Sequence, residues 1–268
     1  MSSAAKALAL LSHFSTTHPE IGLSQLCRIA RRDKATTYRH LQALEGAGFV
    51  EQNPLTKHYR LGPALMQLAQ LREATVPRKA SARRAIENLA FATGETAHVT
   101  VLSGTTLYAL DDCESPKHGT RAIIDISEFP LHATASGKAA LAFGTEALID
   151  IAIANLQKYT ESTPATRKAL IDAMAITRQT GFGHANQSYE SEIYGIAAPL
   201  FDHSGMFAGA VSVASVASRL TVDLEQTIQS ELIIAAREIT HKWGGVVPPS
   251  VETVWSHYLK QLPELETA

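Results

Sequence analysis

Residues 33–50, DKATTYRHLQALEGAGFV, constrain the fold more than any other stretch: apolar side chains return every three to four residues, then the run stops between two glycines. That spacing is helical. At about 100° per residue, Leu41, Leu44 and Gly48 fall within about 40° of Thr37 and form a stripe to be buried. Ala35, Thr36, Arg39 and Gln42 fall on the opposite side, with Lys34 and Tyr38 at its margin. The outer side lacks the carboxylates that usually balance a solvent-facing helix. Arginine and glutamine can address base edges in a DNA groove, and threonine, tyrosine and lysine can reach phosphates.

The flanks fit such a helix. Ala5, Leu8, Leu11 and Phe14 keep helical spacing and predict a helix over about 3–16, broken by Pro19 and Gly22. GLSQLCRIA predicts a short second helix capped by Ser24, with Leu26, Ile29 and Ala30 facing inward. After the glycines, FVEQNPLTKHYRLG reads as two short strands around an Asn-Pro turn, with Lys57 and Arg60 on or beside the hairpin. Three helices and a hairpin make a winged helix-turn-helix; the alternative is a three-helix protein-interaction domain. Charge favours the first. Residues 1–62 carry eight basic and four acidic side chains, a net +4, so that the rest of a chain of net −2 carries −6. The candidate DNA contacts are Ser24, Lys34, Ala35, Thr36, Thr37, Tyr38, Arg39, Gln42, Lys57 and Arg60, on a palindromic double-stranded operator.

The 268 residues allow two ordinary domains, and 45% hydrophobic with 19% charged residues describes a globular protein with a real core. No run approaches the roughly 18 apolar residues of a membrane span. No signal-type cleavage context follows the first apolar run, and Cys27 and Cys113 lie far apart, so a reduced, cytoplasmic protein is expected. The expected organisation is a DNA-binding domain at 1–62, a linker helix at 63–77, an α+β body at 78–245 and an extension at 246–268. On the linker helix, Leu65, Leu68, Ala69 and Leu71 share one side. A second copy of the chain or the body itself could cover that stripe.

In the body, ETAHVTVLSGTTLYALDDC predicts a hairpin turning at Ser103-Gly104, RAIIDI a further strand, and IYGIAAPLFDHSGMFAGAVSVAS two strands around a His-Ser-Gly turn. Helices are expected at about 136–144 and 146–156, across TPATRKALIDAMAITRQTG up to Gly181, and across TVDLEQTIQSELIIAAREITHKWG. Strand pairs interspersed with helices suggest a sheet open on one face, as in GAF-like sensor modules. HATASGKAALA is not a phosphate loop: His132 and Ala139 stand where glycine and Ser/Thr are required. Ser136 and Lys138, two residues apart near a helix start, would not face each other as nucleophile and base. The free N–H groups of a helix starting at Thr134–Gly137 suit the carboxylate of a small ligand. His98, between inward-looking valines, reads as a solvated or core-edge residue, and Asp111 and Asp112 as turn chemistry. No metal and no cofactor is expected. Trp255, Tyr258 and Leu259 share one side of a short helix in the tail, docking on its own body or on a neighbouring subunit.

From about residue 5 to 242 the chain resembles the IclR (isocitrate lyase regulator) family of bacterial transcription factors. The resemblance rests on Lys34, Thr36, Tyr38, Arg39, Leu41, Leu44, Glu45, Gly48, Tyr59, Leu61 and Gly62, and on TGETAHVTVLSG, FPLHATASGKAALAF and GIAAPLFDHSGMFAGAVSV in order. Ala35, Thr37 and His40 depart from the family's serine, valine and leucine. The resemblance implies an effector pocket drawing on Ala135, Ser136, Ala185, Asn186, Ser188, Ile193, Gly195, Ser212 and Ala214. It implies a homodimeric or homotetrameric regulator of a catabolic operon, expected to be a repressor, controlled by a small organic or aromatic acid. The alternative is a hydrolase or transferase of a small acid with an appended basic domain.

Overall fold

The computed structural model describes residues 2–15 and 17–261. The chain divides into two compact units, Met1–Pro77 and Arg78–Ala268, with separate cores.

The first unit holds α1 (Ser3–Leu8), one 3-10 turn (Leu11–His13), α2 (Leu23–Ala30), α3 (Lys34–Gly46), β1 (Val50–Gln52), β2 (Tyr59–Leu61) and α4 (Ala64–Thr75). The single helix expected over 3–16 is shorter than its pattern. After Leu8 the chain tightens, the Ser12 hydroxyl donates to the Ala9 carbonyl, and Leu10 turns into the core while Leu8 stays exposed. Residue 16 lies outside the described residues. Gly22, not Ser24, occupies the cap position of α2. A Cβ there would lie 3.0 Å from the His58 ring, a contact that a side chain at residue 22 could make only if that ring shifted. Ser24 is exposed inside the helix, and Ile29, expected to face inward, is exposed too.

α3 begins at Asp33, whose side chain accepts the Thr36 N–H at 2.8 Å. That backbone hydrogen bond holds the Asp33 carboxyl below its ordinary pKa. Leu41 and Leu44 join Leu10, Ile21, Leu26, Val50 and Tyr59 in the core. The hairpin pairs Glu51 with Arg60 across antiparallel strands. Its turn is held by the Asn53 side chain, which accepts the N–H groups of Leu55 and Thr56. In α4 no residue is buried, and Met66, Leu68 and Leu71 are exposed.

The second unit runs α5 (Arg78–Thr93), β3 (Thr96–Ser103), β4 (Thr106–Cys113), α6 (Ala135–Phe143), α7 (Glu146–Ala154), α8 (Arg167–Thr180), β5 (Gly183–Asn186), β6 (Ile193–Phe201), β7 (Phe207–Val216), α9 (Val222–Lys242) and α10 (Pro249–Gln261). Its antiparallel sheet has the order β4-β3-β7-β6-β5. Alternation along the strands splits their side chains between two cores. Val99, Val211 and Val213 pack with Ile86 and Leu89 of α5 and Leu232 and Ile239 of α9. Ala197 and Ala210 pack on the other side with Ala135, Ala139 and Leu141 of α6, Leu148 of α7 and Met174 of α8.

The sheet is therefore covered on both faces, not open on one. RAIIDI is also not a strand. Residues 121–126 take no regular structure, and the segment meets β4 only at the Tyr108–Glu128 bridge, with Ala109 N–H donating to the Ser127 carbonyl. Its apolar alternation comes from a loop lying across the sheet, with Ala122 buried and Ile123 exposed. Asp111 and Asp112 lie on β4, not in a turn, and Asp111 pairs with Lys79 and Arg83 of α5 at 3.3 and 3.4 Å. The tail docks on its own body. Trp255 is fully buried and donates from Nε1 to the Gly181 carbonyl at 3.2 Å, and Tyr258 meets Phe182 edge-on. Residues 262–268 of the extension lie outside the described residues.

Candidate DNA-binding face and effector cavity

On α3 the candidate DNA contacts divide. Lys34, Ala35, Tyr38, Arg39 and Gln42 are exposed and Thr36 is half-buried. Thr37 is fully buried and its hydroxyl donates to the Asp33 carbonyl at 2.8 Å, so it belongs to the core stripe and is removed from the candidate contacts. The outer side chains organise one another along the helix. Gln42 donates to the Tyr38 hydroxyl at 3.1 Å and Arg39 to Thr36 Oγ1 at 3.5 Å. Among the described residues no carboxylate lies within ion-pair distance of Lys34 or Arg39. On the wing, Lys57 is exposed in a left-handed backbone conformation (φ 60°). Arg60 is already engaged, by Glu51 at 2.6 Å and Glu20 at 3.5 Å. Any phosphate would compete with those two carboxylates, which weakens its place among the contacts.

In the second unit a cavity of about 100 Å³ opens between the sheet and the start of α6. Six expected ligand residues line it: Ala135, Ser136, Ala185, Ile193, Gly195 and Ala214. Three do not. Asn186 is exposed at the end of β5. Ser212 is buried and bonded to the Ser136 hydroxyl at 2.6 Å, so it braces a lining residue from behind. Ser188 is buried, donating to the Ala133 carbonyl and accepting from Lys138 Nζ at 3.0 Å. Lys138 also donates to the His184 carbonyl at 2.7 Å, and burial without a carboxylate pulls its pKa down to about 8. Ser136 and Lys138 thus bond to different partners, and they form no nucleophile–base pair.

Chemically the cavity is an apolar slot, formed by Ala122, Ile124, Ile126, Phe129, Ile193 and Ala214, with polar groups at two places. At one end Thr134 caps α6 by accepting the Gly137 N–H at 3.0 Å, and Ala135 and Ser136 follow at the helix start, where backbone donors lack helical acceptors. The other is His98, which also lines the cavity. Its position was legible in part. Ala97 and Val99 on either side of it face α5 and α9, so alternation puts His98 on the opposite face, but the loop that closes over that face carries a strand's alternation. Phe129, Tyr189, Glu190 and residues 122–126 line the cavity without any sequence signal. Asp125 and Glu190 are exposed at its rim. Among the described residues no group of three His, Cys, Asp or Glu side chains could hold a metal, and no helix is long and apolar enough to cross a membrane.

Residues 74–241 match the family described as bacterial transcriptional regulator IclR C-terminal, and residues 3–54 match the IclR helix-turn-helix domain. The chain belongs to the IclR family. It is similar, at 37% identity and a TM-score of 0.87, to an IclR transcriptional regulator from Silicibacter sp. TM1040, over 93% of this chain and 99% of that one. It is 29% identical over 222 residues to the HTH-type transcriptional regulator XynR of Escherichia coli (strain K12), covering 80% of this chain and 86% of XynR. Its fold is shared, at 22% identity and a TM-score of 0.74, with an IclR homolog from Microbacterium hydrocarbonoxydans complexed with 4-hydroxybenzoate, over 91% and 99% of the two chains. This IclR-family chain is a DNA-binding transcriptional regulator and not an enzyme, which removes the hydrolase or transferase alternative.

Proposed function

We propose that this regulator binds a palindromic operator through α3 and that a small molecule in the second-unit cavity sets its affinity, with ligand lowering operator binding as in a repressor of a catabolic operon. The observation that carries the first part is the outer face of α3: Lys34, Tyr38, Arg39 and Gln42 exposed on one helix, with no carboxylate among the described residues paired to either cation. In this reading Arg39 and Gln42 meet base edges in the major groove, while Ser24, Lys34, Thr36, Tyr38 and Lys57 reach phosphates and Ala35 allows close approach. Two recognition helices are required for two half-sites, so the active species is a homodimer or homotetramer. The uncovered apolar side chains of α4 support association of copies.

The ligand is small and largely apolar, and its polar end, a carboxylate in this reading, meets the start of α6. The complex of the Microbacterium homolog with 4-hydroxybenzoate supports a ligand of this size and kind.

Selection of binding sites from random duplexes by the full-length protein tests the first part. A palindromic consensus with half-sites one helical turn or a multiple apart is expected. Arg39→Ala is expected to weaken binding to the selected duplex by about five- to 150-fold and to relax preference at one base position. Lys57→Ala is expected to reduce the slope of log K against log salt by about 1 while leaving preference intact. Recovery of no consensus sinks the reading.

Gly195 tests the second part. A Cβ there would lie 3.3 Å from the Ala135 Cβ and 3.6 Å from the Ala185 Cβ, both at the cavity wall. Gly195→Leu should fill the slot. A ligand at about 100 times its dissociation constant stabilises the native protein by about 2.7 kcal/mol. The variant is expected to lose that gain in a melting experiment with 4-hydroxybenzoate or benzoate, and retention of it would place the ligand elsewhere.

A further inference from the structure

His98 packs as a ring inside the fold, yet the fold gives its Nδ1 no hydrogen-bond partner. It lies on β3, paired across the sheet with Ser212 and Asp112, and is 6% exposed. Its Nδ1 is buried with no hydrogen-bond partner, no hydrogen bond among the described residues reaches its Nε2, and the ring also walls a second hollow of about 110 Å³ with Lys79, Asp111 and Asp112. Buried polar atoms are nearly always partnered, and an orphan in a native structure marks strain, a functional group or a missing ligand. Three other side-chain atoms share this condition among the described residues, on His40, Ser215 and Tyr258, but none of those residues lines the cavity. The remaining polar side chains of the lining are committed or not buried. Thr134 caps α6, Ser136 is bonded to Ser212, and Asp125, Tyr189 and Glu190 lie at the half-exposed or exposed rim.

We propose that His98 is the specificity-determining residue of the cavity, exchanging a hydrogen bond with an uncharged hydroxyl on the ligand and selecting a ring-sized molecule that carries such a group over the same molecule without it. This inference rests on the effector reading above and deepens it. Burial pushes the imidazole pKa down to about 4, so the ring is neutral near neutral pH and carries one N–H and one lone pair. A hydroxyl is both donor and acceptor and satisfies either tautomer. A carboxylate only accepts, so it would repel the lone pair of the neutral imidazole and match only its N–H, whereas the backbone donors at the start of α6 suit it; the charged end belongs there. Stacking on Phe129, with centroids 5.2 Å apart and planes at 18°, fixes the imidazole's orientation. The volume of about 100 Å³ sets the size. An engineered apolar cavity of about 150 Å³ takes up benzene, so one ring is about the limit here. A ring lacking the hydroxyl would leave the imidazole unsatisfied, and that omission discriminates more strongly than a lost apolar contact.

The test is calorimetric titration of the full-length protein with matched pairs: 4-hydroxybenzoate against benzoate, and 4-hydroxycyclohexanecarboxylate against cyclohexanecarboxylate. Wild type is expected to bind the hydroxylated member of at least one pair more than about tenfold tighter. His98→Phe, which keeps a planar ring beside Phe129, is expected to bind both members of that pair within threefold of each other. His98→Gln, which restores a donor and an acceptor, is expected to recover part of the preference and guards against a folding defect in the phenylalanine variant. Equal binding of every pair by wild type, or a preference that survives in folded His98→Phe, overturns the proposal and leaves the effector cavity standing. Failure of all four probes to bind wild type overturns the effector reading for this ligand class and the role of His98 with it.

Discussion

Trp255→Ala is expected to lower the stability of the second unit by about 3–5 kcal/mol, the range for truncating a fully buried large aromatic side chain. Trp255 has no exposed surface and belongs to the main core, with Phe182, Val251 and Ile239. Its loss would remove that packing and leave the Gly181 carbonyl without the indole N–H that it now accepts. The site has little means of collapse, because Gly181 sits in a left-handed conformation (φ 79°) that closes α8, with the indole where a Cβ would otherwise go. The Arg237–Glu252 pair holds α10 on α9 only from its half-exposed side. Urea unfolding of full-length wild type and variant, followed by far-UV circular dichroism, measures the effect. A loss below about 1 kcal/mol would mean that α10 is a dispensable appendage, not part of the core.

Acidification from pH 7 to pH 4 is expected to cost about 3 kcal/mol of stability through His98 alone. The folded-state pKa of about 4 lies below the unfolded value of 6.5. Above pH 6.5 both states hold the neutral ring and stability is unaffected. Between 6.5 and 4 the unfolded chain takes up a proton that the folded protein refuses, so stability falls as pH falls, by about 1.4 kcal/mol per pH unit. Burial lowers His184 in the same direction, so the two effects add in sign. Carboxylates contribute to acid unfolding as well, which makes the difference between wild type and His98→Phe the decisive quantity. The variant's stability is expected to decline less steeply across this window, measured by urea unfolding at pH 7.5, 6.5, 5.5 and 4.5. Parallel pH curves for the two proteins would show that the imidazole is not buried as a neutral base.

The helix-turn-helix was legible because its signals are local. A cap residue, a stripe at 3.6-residue spacing and two glycines specify α3 without reference to the rest of the chain. The body's hairpins were legible for the same reason, since alternation and turn residues lie within each segment. The errors cluster where one segment's conformation depends on another. RAIIDI carries a strand's alternation, yet the chain meets the β4 edge only at the Tyr108–Glu128 bridge and lies across the sheet before it. Leu10, alongside the expected stripe, is fully buried, while Leu8 on the stripe stays exposed. Gly22, not Ser24, takes the cap position, with a ring 36 residues later in the chain, on His58, close against it.

Ligand-cavity residues show the same division. Those on α6, β6 and β7 that line it, Ala135, Ser136, Ile193, Gly195 and Ala214, were implied by the resemblance to the family, and each lies on an element whose period its own sequence sets. Ser188 and Ser212 have the right chemistry but are consumed by Lys138 and Ser136, contacts spanning 50 and 76 residues.

The amino-acid order by itself determined the helices of the helix-turn-helix, the hairpins and long helices of the body, and that a basic unit precedes a larger acidic one. Periodicity, capping and charge are properties of neighbours along the chain. Only the tertiary structure decided which polar side chains are left without a partner. Satisfaction of a buried donor or acceptor depends on what the rest of the fold brings within about 3 Å, and His98 emerged there as the unpartnered group in the cavity wall.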